Sequence, residues 1–495
     1  MMEDRVPLSR AYSTPKTTRV AVRRLPRATL VVFGVLYALL IGNLTSIMTI
    51  RADAIHAMPY NNHTVLNAQR IRRGDIVTAD GVVLATSVRN DDGTYSRVYP
   101  EGTFAAHITG YYSLRYGTAG LEAAANDELT GAAGYTSWSQ AIATLAGSGA
   151  TGNTLTLTLD SGVQRAAQAA LGEYKGACVV MTTDGAILGL ASAPLFNPAT
   201  VGEILDNPDA HTDSPLFNRA IQALYAPGST FKLVTLSQVL ETGLFSETDE
   251  FESPATLEIG GADIVNFQHE DHGTITLARA TELSANTVYG QVGAAMGPRT
   301  LVAGADALLF DTEIPFDLEV ATSLMPDPNE MTLWETAWAA AGEPVGSHAS
   351  PAGPQATVLE VALYGMAMAN GGAIPVPYLV ASISDAEGNV LEETVPATLR
   401  QAVSPATAAR VKAVMEGVVA NGTGWPAAIP GAVVGGKTGT AEKNADTSDG
   451  WFVGFAELPD GYTVVVAIVL EDSGNGVAAG RAHDVLLAAL QAHGF

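Results

Sequence analysis

Apolar residues are spaced differently in successive parts of this chain, and each spacing predicts a different kind of element. Over 28–50 they run almost unbroken between Arg27 and Arg51. Wound as a helix, such a run is long enough to cross a hydrocarbon layer of about 30 Å. Over 51–150 short extended stretches alternate with turn residues, as in Arg73-Gly-Asp-Ile76, Ala79-Asp-Gly81 and Tyr99-Pro-Glu-Gly102, and the glycine-rich stretch 131–152 reads as a boundary. Beyond 155 the pattern is that of a packed α/β mixture. Val163, Ala167, Ala170 and Leu171 keep a 3.6-residue period between Asp160, suited to an N-cap, and Gly172, suited to a helix end. Two apolar runs, 177–182 and 187–191, meet through Asp184-Gly185 and predict a hairpin. The stretch 231–240 is apolar nearly all round and predicts a buried helix. Ser404-Pro405 opens another helix, running to about 419. Late in the chain, 432–435 leading into Lys437, then 451–456 and 463–470, predict consecutive antiparallel strands, with a covering helix over 477–492. Strands thus come early and late around a helical block, an α+β pattern in which the first and last strands share one sheet.

Length and charge add an arrangement in space. A chain of 495 residues, 47% hydrophobic and 16% charged, exceeds one simple core and suggests two domains. The net charge of −25 is uneven. Arg5, Arg10, Lys16, Arg19, Arg23, Arg24 and Arg27 precede the apolar run, and the body beyond it is strongly acidic. Basic tail, apolar run and acidic body predict a single-pass membrane protein: a cytoplasmic tail over 1–27, an anchor over 28–50, a membrane-proximal domain over 51–150 and a larger domain over 151–495 outside the cell membrane. A cleaved leader is the competing reading, with Ala52-Asp-Ala54 as a small-x-small site, but the apolar run exceeds the usual 7–15 residues of a signal core. An acidic body argues against nucleic acid as a partner. Cys178 is the only cysteine and lies in an apolar stretch, so a buried, inert thiol is expected and no intrachain disulfide is possible.

Three short motifs stand in order in this frame: Ser229-Thr-Phe-Lys232, Ser284-Ala-Asn286 and Lys437-Thr-Gly-Thr440. Each alone is weak, because Ser13 with Lys16 and Ser473 with Asn475 repeat two of the spacings in unsuitable places. Ser229 follows a Pro-Gly turn and alone reads as a helix cap. Lys232 resists so plain a reading. A cation in a first helical turn opposes the helix dipole, and burial adds desolvation, so both favour the neutral amine, which beside a serine hydroxyl is a general base. Ser284 and Asn286 fall at the end of a short helix. There a hydroxyl can relay a proton and an amide can hold a substrate peptide group. Thr438 and Thr440 share one face of a strand and, with the Lys437 charge, suit a terminal carboxylate, while Gly439 leaves room for close backbone approach. His269-Glu-Asp-His272 resembles a metal cluster but lacks a further ligand at suitable spacing and reads as a solvated loop. No metal or other cofactor is expected.

The ordered set resembles the class B penicillin-binding proteins, monofunctional D,D-transpeptidases of bacterial cell-wall synthesis, and within them the short actinobacterial penicillin-binding protein A type. Tyr225-Ala-Pro-Gly-Ser-Thr-Phe-Lys232, Gly435-Gly-Lys-Thr-Gly-Thr-Ala-Glu442 and Trp451-Phe-Val-Gly-Phe455 are similar to that family's penicillin-binding domain. Tyr99-Pro-Glu-Gly102, Ala105-Ala-His107 and Gly120-Leu-Glu122 are similar to its membrane-proximal domain. The resemblance implies a penicillin-binding, serine β-lactamase-like fold, an antiparallel sheet flanked by helices. It implies that Ser229 attacks the carbonyl between the terminal D-alanines of a peptidoglycan stem peptide, with Lys232 taking its proton. The N–H groups of Ser229 and Thr440 would form the oxyanion hole and Ser284 would protonate departing D-alanine. Asn286 would orient the substrate, whose carboxylate Thr438 and Thr440 would bind. β-Lactam antibiotics would be trapped at Ser229, and a glycan polymerase of the SEDS family is an implied partner. Asp449, and Ala352-Gly-Pro-Gln355, depart from the family pattern without touching the acylation chemistry. A β-lactamase or D,D-carboxypeptidase would share the acylation half. The expected anchor and membrane-proximal domain favour a synthetic enzyme, and intact Ser229, Lys232 and Lys437 argue against a non-catalytic penicillin sensor or scaffold.

Overall fold

The computed structural model describes residues 31–41, 43, 69–132, 151–346, 349–443 and 447–495. The chain forms two units, Met1–Gln69 and Arg70–Phe495. The expected membrane anchor over 28–50 is corrected here. Among the described residues no helix is long and apolar enough to cross a membrane. The helix described in that region covers 31–41 and 43. The expectations built on that anchor are overturned with it: the single-pass topology, the cytoplasmic N-terminus with an outward catalytic domain, and the membrane as a partner. The tail over 1–27 and Ala52-Asp-Ala54 lie outside the described residues.

In the second unit the strands that matter to the site are β1 (Ile76–Val77), β2 (Val83–Arg89), β3 (Tyr95–Val98), β4 (Thr154–Leu157), β5 (Gly176–Thr182), β6 (Ile187–Ala193), β7 (Val380–Ser384), β8 (Val390–Glu393), β9 (Val433–Glu442), β10 (Ser448–Glu457) and β11 (Thr463–Leu470). Around them lie the helices α1 (Ser161–Leu171), α2 (Lys232–Thr242), α3 (Leu277–Leu283), α4 (Asn286–Met296), α5 (Leu333–Ala341), α6 (Val358–Ala369), α7 (Pro405–Asn421) and α8 (Val477–His493).

The central sheet has the order β9-β10-β11-β5-β6 and is antiparallel throughout. The hairpin strands expected over 177–191 and the late strands do share it, as β11 pairs with β5 from Val464↔Thr182 to Leu470↔Gly176. Strand periodicity divides its side chains between two cores. Val179, Met181, Val453, Val465 and Ala467 face the helical block that contains the buried α6. Cys178, Val180, Phe452, Val466 and Ile468 face α1 and α8. Cys178 is fully buried, and burial pushes its thiol pKa up, away from reactivity. The expected caps are in place: the Asp160 carboxylate accepts from the N–H groups of Gly162 and Val163, and the Ser404 hydroxyl from that of Thr407.

A second, six-stranded sheet has the order β8-β7-β4-β1-β2-β3, so segments on both sides of residue 150 build it. Beside it lies a buried charge network. Glu122, fully buried, meets Arg73 at 2.9 Å and Arg97 at 2.5 Å. The Tyr99 hydroxyl also donates to Glu122, at 3.3 Å, and Arg73 donates to Asn126 at 2.9 Å. Each sequence signal of this region, Arg73-Gly, Tyr99-Pro and Gly120-Leu-Glu122, therefore supplies a part of one paired cluster.

Candidate active site

Lys232, at the start of α2, directs its Nζ into a knot of oxygen atoms. It donates to Ser229 Oγ at 3.0 Å, Ser284 O at 2.7 Å, Ser284 Oγ at 3.2 Å and Asn286 Oδ1 at 2.6 Å. No carboxylate is among these partners. Lys437 on β9 approaches the same hydroxyl from the other side, donating to Ser284 Oγ at 2.9 Å and to Thr438 O at 2.8 Å. Both lysines are fully buried. Desolvation drives the Lys232 ammonium well below the usual lysine range, the neighbouring Lys437 charge adds to that, and Glu343 opposes it. Desolvation alone lowers Lys437 to about 7. The Lys232 Nζ also lies 5.3 Å from the centre of the Tyr289 ring.

The local folding explains why these groups meet. Ser229 lies in a single 3₁₀ turn, Gly228–Phe231, that runs straight into α2, so Ser229 and Lys232 stack one turn apart. Thr230 anchors the turn through Pro227 O and the Tyr364 hydroxyl, each at 2.7 Å. Ser284 ends α3 in the left-handed conformation, φ 61° and ψ 36°, a conformation costing a residue with a side chain about 1–2 kcal/mol. That kink lets Asn286 open α4 immediately, so the second motif spans the corner between two helices. The Asn286 amide is committed within the protein: its oxygen to Lys232, and its nitrogen to Val265 O at 2.9 Å.

Gly439 lines the cavity and also has a packing role that the sequence does not suggest. A Cβ there would lie 3.0 Å from Thr230 Cγ2 and from Trp451 Cβ, and 3.1 Å from Pro227 O. The missing side chain therefore lets β9 press against the turn that carries Ser229. Gly228, with φ +52°, completes the fit, since a Cβ on it would lie 2.6 Å from Thr440 O. The backbones of Ser229 and Thr440 are thus brought together by two glycines. Thr438 exchanges a 2.5 Å hydroxyl contact with Thr423, a residue of the loop after α7.

A cavity of 610 Å³ opens onto Ser229, Ser284, Asn286, Thr438, Gly439 and Thr440, so the sequence-predicted side chains share one wall. Lys232 and Lys437 lie beneath it, bonded to Ser284. Sequence reasoning missed Thr423, Trp334, Trp338, Glu343 and Glu442, which also line it. Thr423 sits in Gly422-Thr-Gly424, and that glycine-flanked threonine was the one signal available. His269 of the supposed metal cluster is an exposed residue at the cavity mouth, and among the described residues no group of three metal-ligating side chains converges.

Comparison with known proteins agrees with this geometry. Residues 176–489 match the penicillin binding protein transpeptidase domain, and residues 73–155 match the penicillin binding protein A dimerisation domain. The chain is similar to the peptidoglycan D,D-transpeptidase PbpA of Mycolicibacterium smegmatis, 33% identical over 92% of this chain and 94% of that one. It is similar in structure to the D,D-transpeptidase domain of a peptidoglycan glycosyltransferase from Eggerthella lenta, with 50% identity and a TM-score of 0.80 over 86% of this chain and 99% of that one. It is also similar to penicillin-binding protein A of Mycobacterium tuberculosis in its imipenem acyl-enzyme complex, with 30% identity and a TM-score of 0.77 over 86% of this chain and all of that one.

Proposed function

This chain belongs to the penicillin-binding protein transpeptidase family and is a class B peptidoglycan D,D-transpeptidase, and from that premise we propose the part each residue of the cavity plays. Ser229 is the nucleophile. Its Oγ attacks the carbonyl carbon of the D-alanyl-D-alanine bond while its proton passes to Lys232 Nζ, 3.0 Å away. The backbone N–H groups of Ser229 and Thr440 hold the oxyanion, a device in which one donor is worth about 10²–10³ in rate. When the tetrahedral carbon collapses, the C–N bond breaks and the departing D-alanine nitrogen takes a proton from Ser284 Oγ. That hydroxyl is replenished from Lys232, whose Nζ lies 3.2 Å from it. Lys437, by its charge, and Thr438 and Thr440, by their hydroxyls, hold the terminal carboxylate. Gly439 keeps the strand close to the nucleophile turn. Asn286 holds Lys232 in place through its oxygen and offers the second hydrogen of its amide nitrogen to a substrate peptide group. An amine of a second stem then displaces Ser229 from the acyl-enzyme, and β-lactams acylate the same oxygen. Residues 51–150 serve as the pedestal of a transpeptidase domain spanning 151–495.

The observation that carries this reading is a buried lysine without a carboxylate partner, held against a cavity-lining serine. The test is labelling with a fluorescent penicillin. The wild type is expected to take one label per chain and Ser229→Ala none; equal labelling would overturn the assignment.

A further inference from the structure

One side of the cavity has no part in the steps above. Gly342 is pressed so closely on the nucleophile turn that a Cβ there would lie 1.8 Å from Gly228 O, and this fastens Glu343 beside Ser229. The Glu343 carboxylate lines the cavity with Ser229 and Ser284 and has no hydrogen-bonding or ion-pairing partner among the described residues. Glu442 lines the cavity too. It follows Thr438 and Thr440 at two-residue spacing on β9, so the three side chains share one strand face. The cavity wall therefore carries the hydroxyls of Thr438 and Thr423, with Lys437 beneath, and the two carboxylates of Glu343 and Glu442. Burial and the Glu442 charge raise the Glu343 carboxyl to about 7, and Lys232 on α2 pulls the other way. Lys437 on β9 and His269 at the mouth are the remaining ionisable groups of the site.

Two carboxylates facing one cavity repel unless one of them takes up a proton or a cation lies between them. Transpeptidation brings such a cation, because a primary amine reaches the site as its ammonium at neutral pH. It has no lone pair to attack with until a proton leaves.

We propose that Glu343 and Glu442 form the subsite that receives the acceptor amine, and that Glu343 takes the proton whose loss frees its lone pair. The ammonium gives one proton to the Glu343 carboxylate, leaving a neutral amine and a carboxylic acid. The amine nitrogen then bonds to the acyl carbon, the C–O bond to Ser229 breaks, and the second nitrogen proton passes through Lys232 to Ser229 Oγ. Glu343 returns its proton to solvent. This rests on the reading of Ser229 as the acylated residue.

The test supplies a D-alanyl-D-alanine peptide donor with one of two acceptors: glycinamide, an ammonium at neutral pH, or hydroxylamine, already neutral there. Products are counted by mass spectrometry as transfer or hydrolysis. Glu343→Gln is expected to lower transfer to glycinamide at least about tenfold relative to transfer to hydroxylamine, a ratio that cancels any change in the acylation step the two acceptors share. An unchanged acceptor ratio, or a loss confined to hydrolysis, would overturn the proposal. Glu442→Gln, at an exposed residue, provides a second variant should Glu343→Gln fail to fold. It is expected to move the acid limb of glycinamide transfer to lower pH, and an unmoved limb would count equally against the proposal. Wild type that took up no penicillin would sink the reading of Ser229 itself. Normal acylation with an indifferent acceptor ratio would sink only the acceptor subsite.

Discussion

Two regions of the molecule bury charge, and they do so by opposite rules. In the cluster beside the six-stranded sheet, Arg73 and Arg97 converge on Glu122, and Tyr99 and Asn126 satisfy further atoms. In the cleft, Lys232 and Lys437 converge on a serine hydroxyl, with no carboxylate bonded to either. A paired charge stays charged and fixes the register of the segments that bring it together. An unpaired buried amine is instead pushed toward its neutral form, at a cost in stability. The first arrangement holds a fold, and the second holds a reactive state.

The sharpest way to break this contrast is Lys232→Met. It is expected to slow penicillin acylation by about 10³ or more, as loss of the base to a nucleophile does, while costing less stability than Glu122→Gln, because relief of the amine's desolvation offsets the oxygens left without a donor. A loss of stability as large as that of Glu122→Gln would mean that Lys232 is structural in the way Glu122 is. Next in size is Glu122→Gln, expected to cost about 3–5 kcal/mol by leaving two buried guanidinium groups short of their counter-charge. Denaturant unfolding measures that loss, and the acylation rate of the protein that remains folded should not change.

The smallest effect is a pH dependence. Lys437 has a folded pKa of about 7, below its usual 10.5, so its burial penalty is absent at high pH, grows as the pH falls from 10.5 toward 7, and is full below 7. Lys437→Met should therefore raise the melting temperature by about 2 °C or more below pH 7, and less as the pH rises above it. In function the sign is reversed. Lys437 carries its charge below about 7, so the second-order acylation rate by a carboxylate-bearing β-lactam should fall as the pH rises through that value, and a neutral ester of the same drug should not follow it.

What the sequence disclosed follows from how local each cause is. Ser229 and Lys232 are one turn apart, so their 3.0 Å contact was legible from spacing. The hairpin through Asp184-Gly185 and the caps at Asp160 and Ser404 are likewise local. The joining of Ser284 to both lysines was legible only as motif order, because the left-handed kink that lets it happen leaves no mark on a serine. Glu343 was not legible at all. Gly342-Glu-Pro344 has no periodicity, and its place is set by a backbone contact with Gly228, more than a hundred residues away. Gly439 was read as leaving room for a ligand backbone, and its close packing against the turn that carries Ser229 was not legible. The apolar run over 28–50 had the composition of an anchor, whereas no helix among the described residues is long and apolar enough to cross a membrane.

The central claim is that the buried lysines are amines with shifted protonation, and it can be read directly. With ¹³C-labelled lysine, the Cε resonances are followed against pH in the wild type, Lys232→Met and Lys437→Met. The account predicts two resonances titrating far below the usual lysine range, the one lost in Lys437→Met near 7 and the one lost in Lys232→Met also well below 10.5. Every lysine titrating near 10.5 would contradict it.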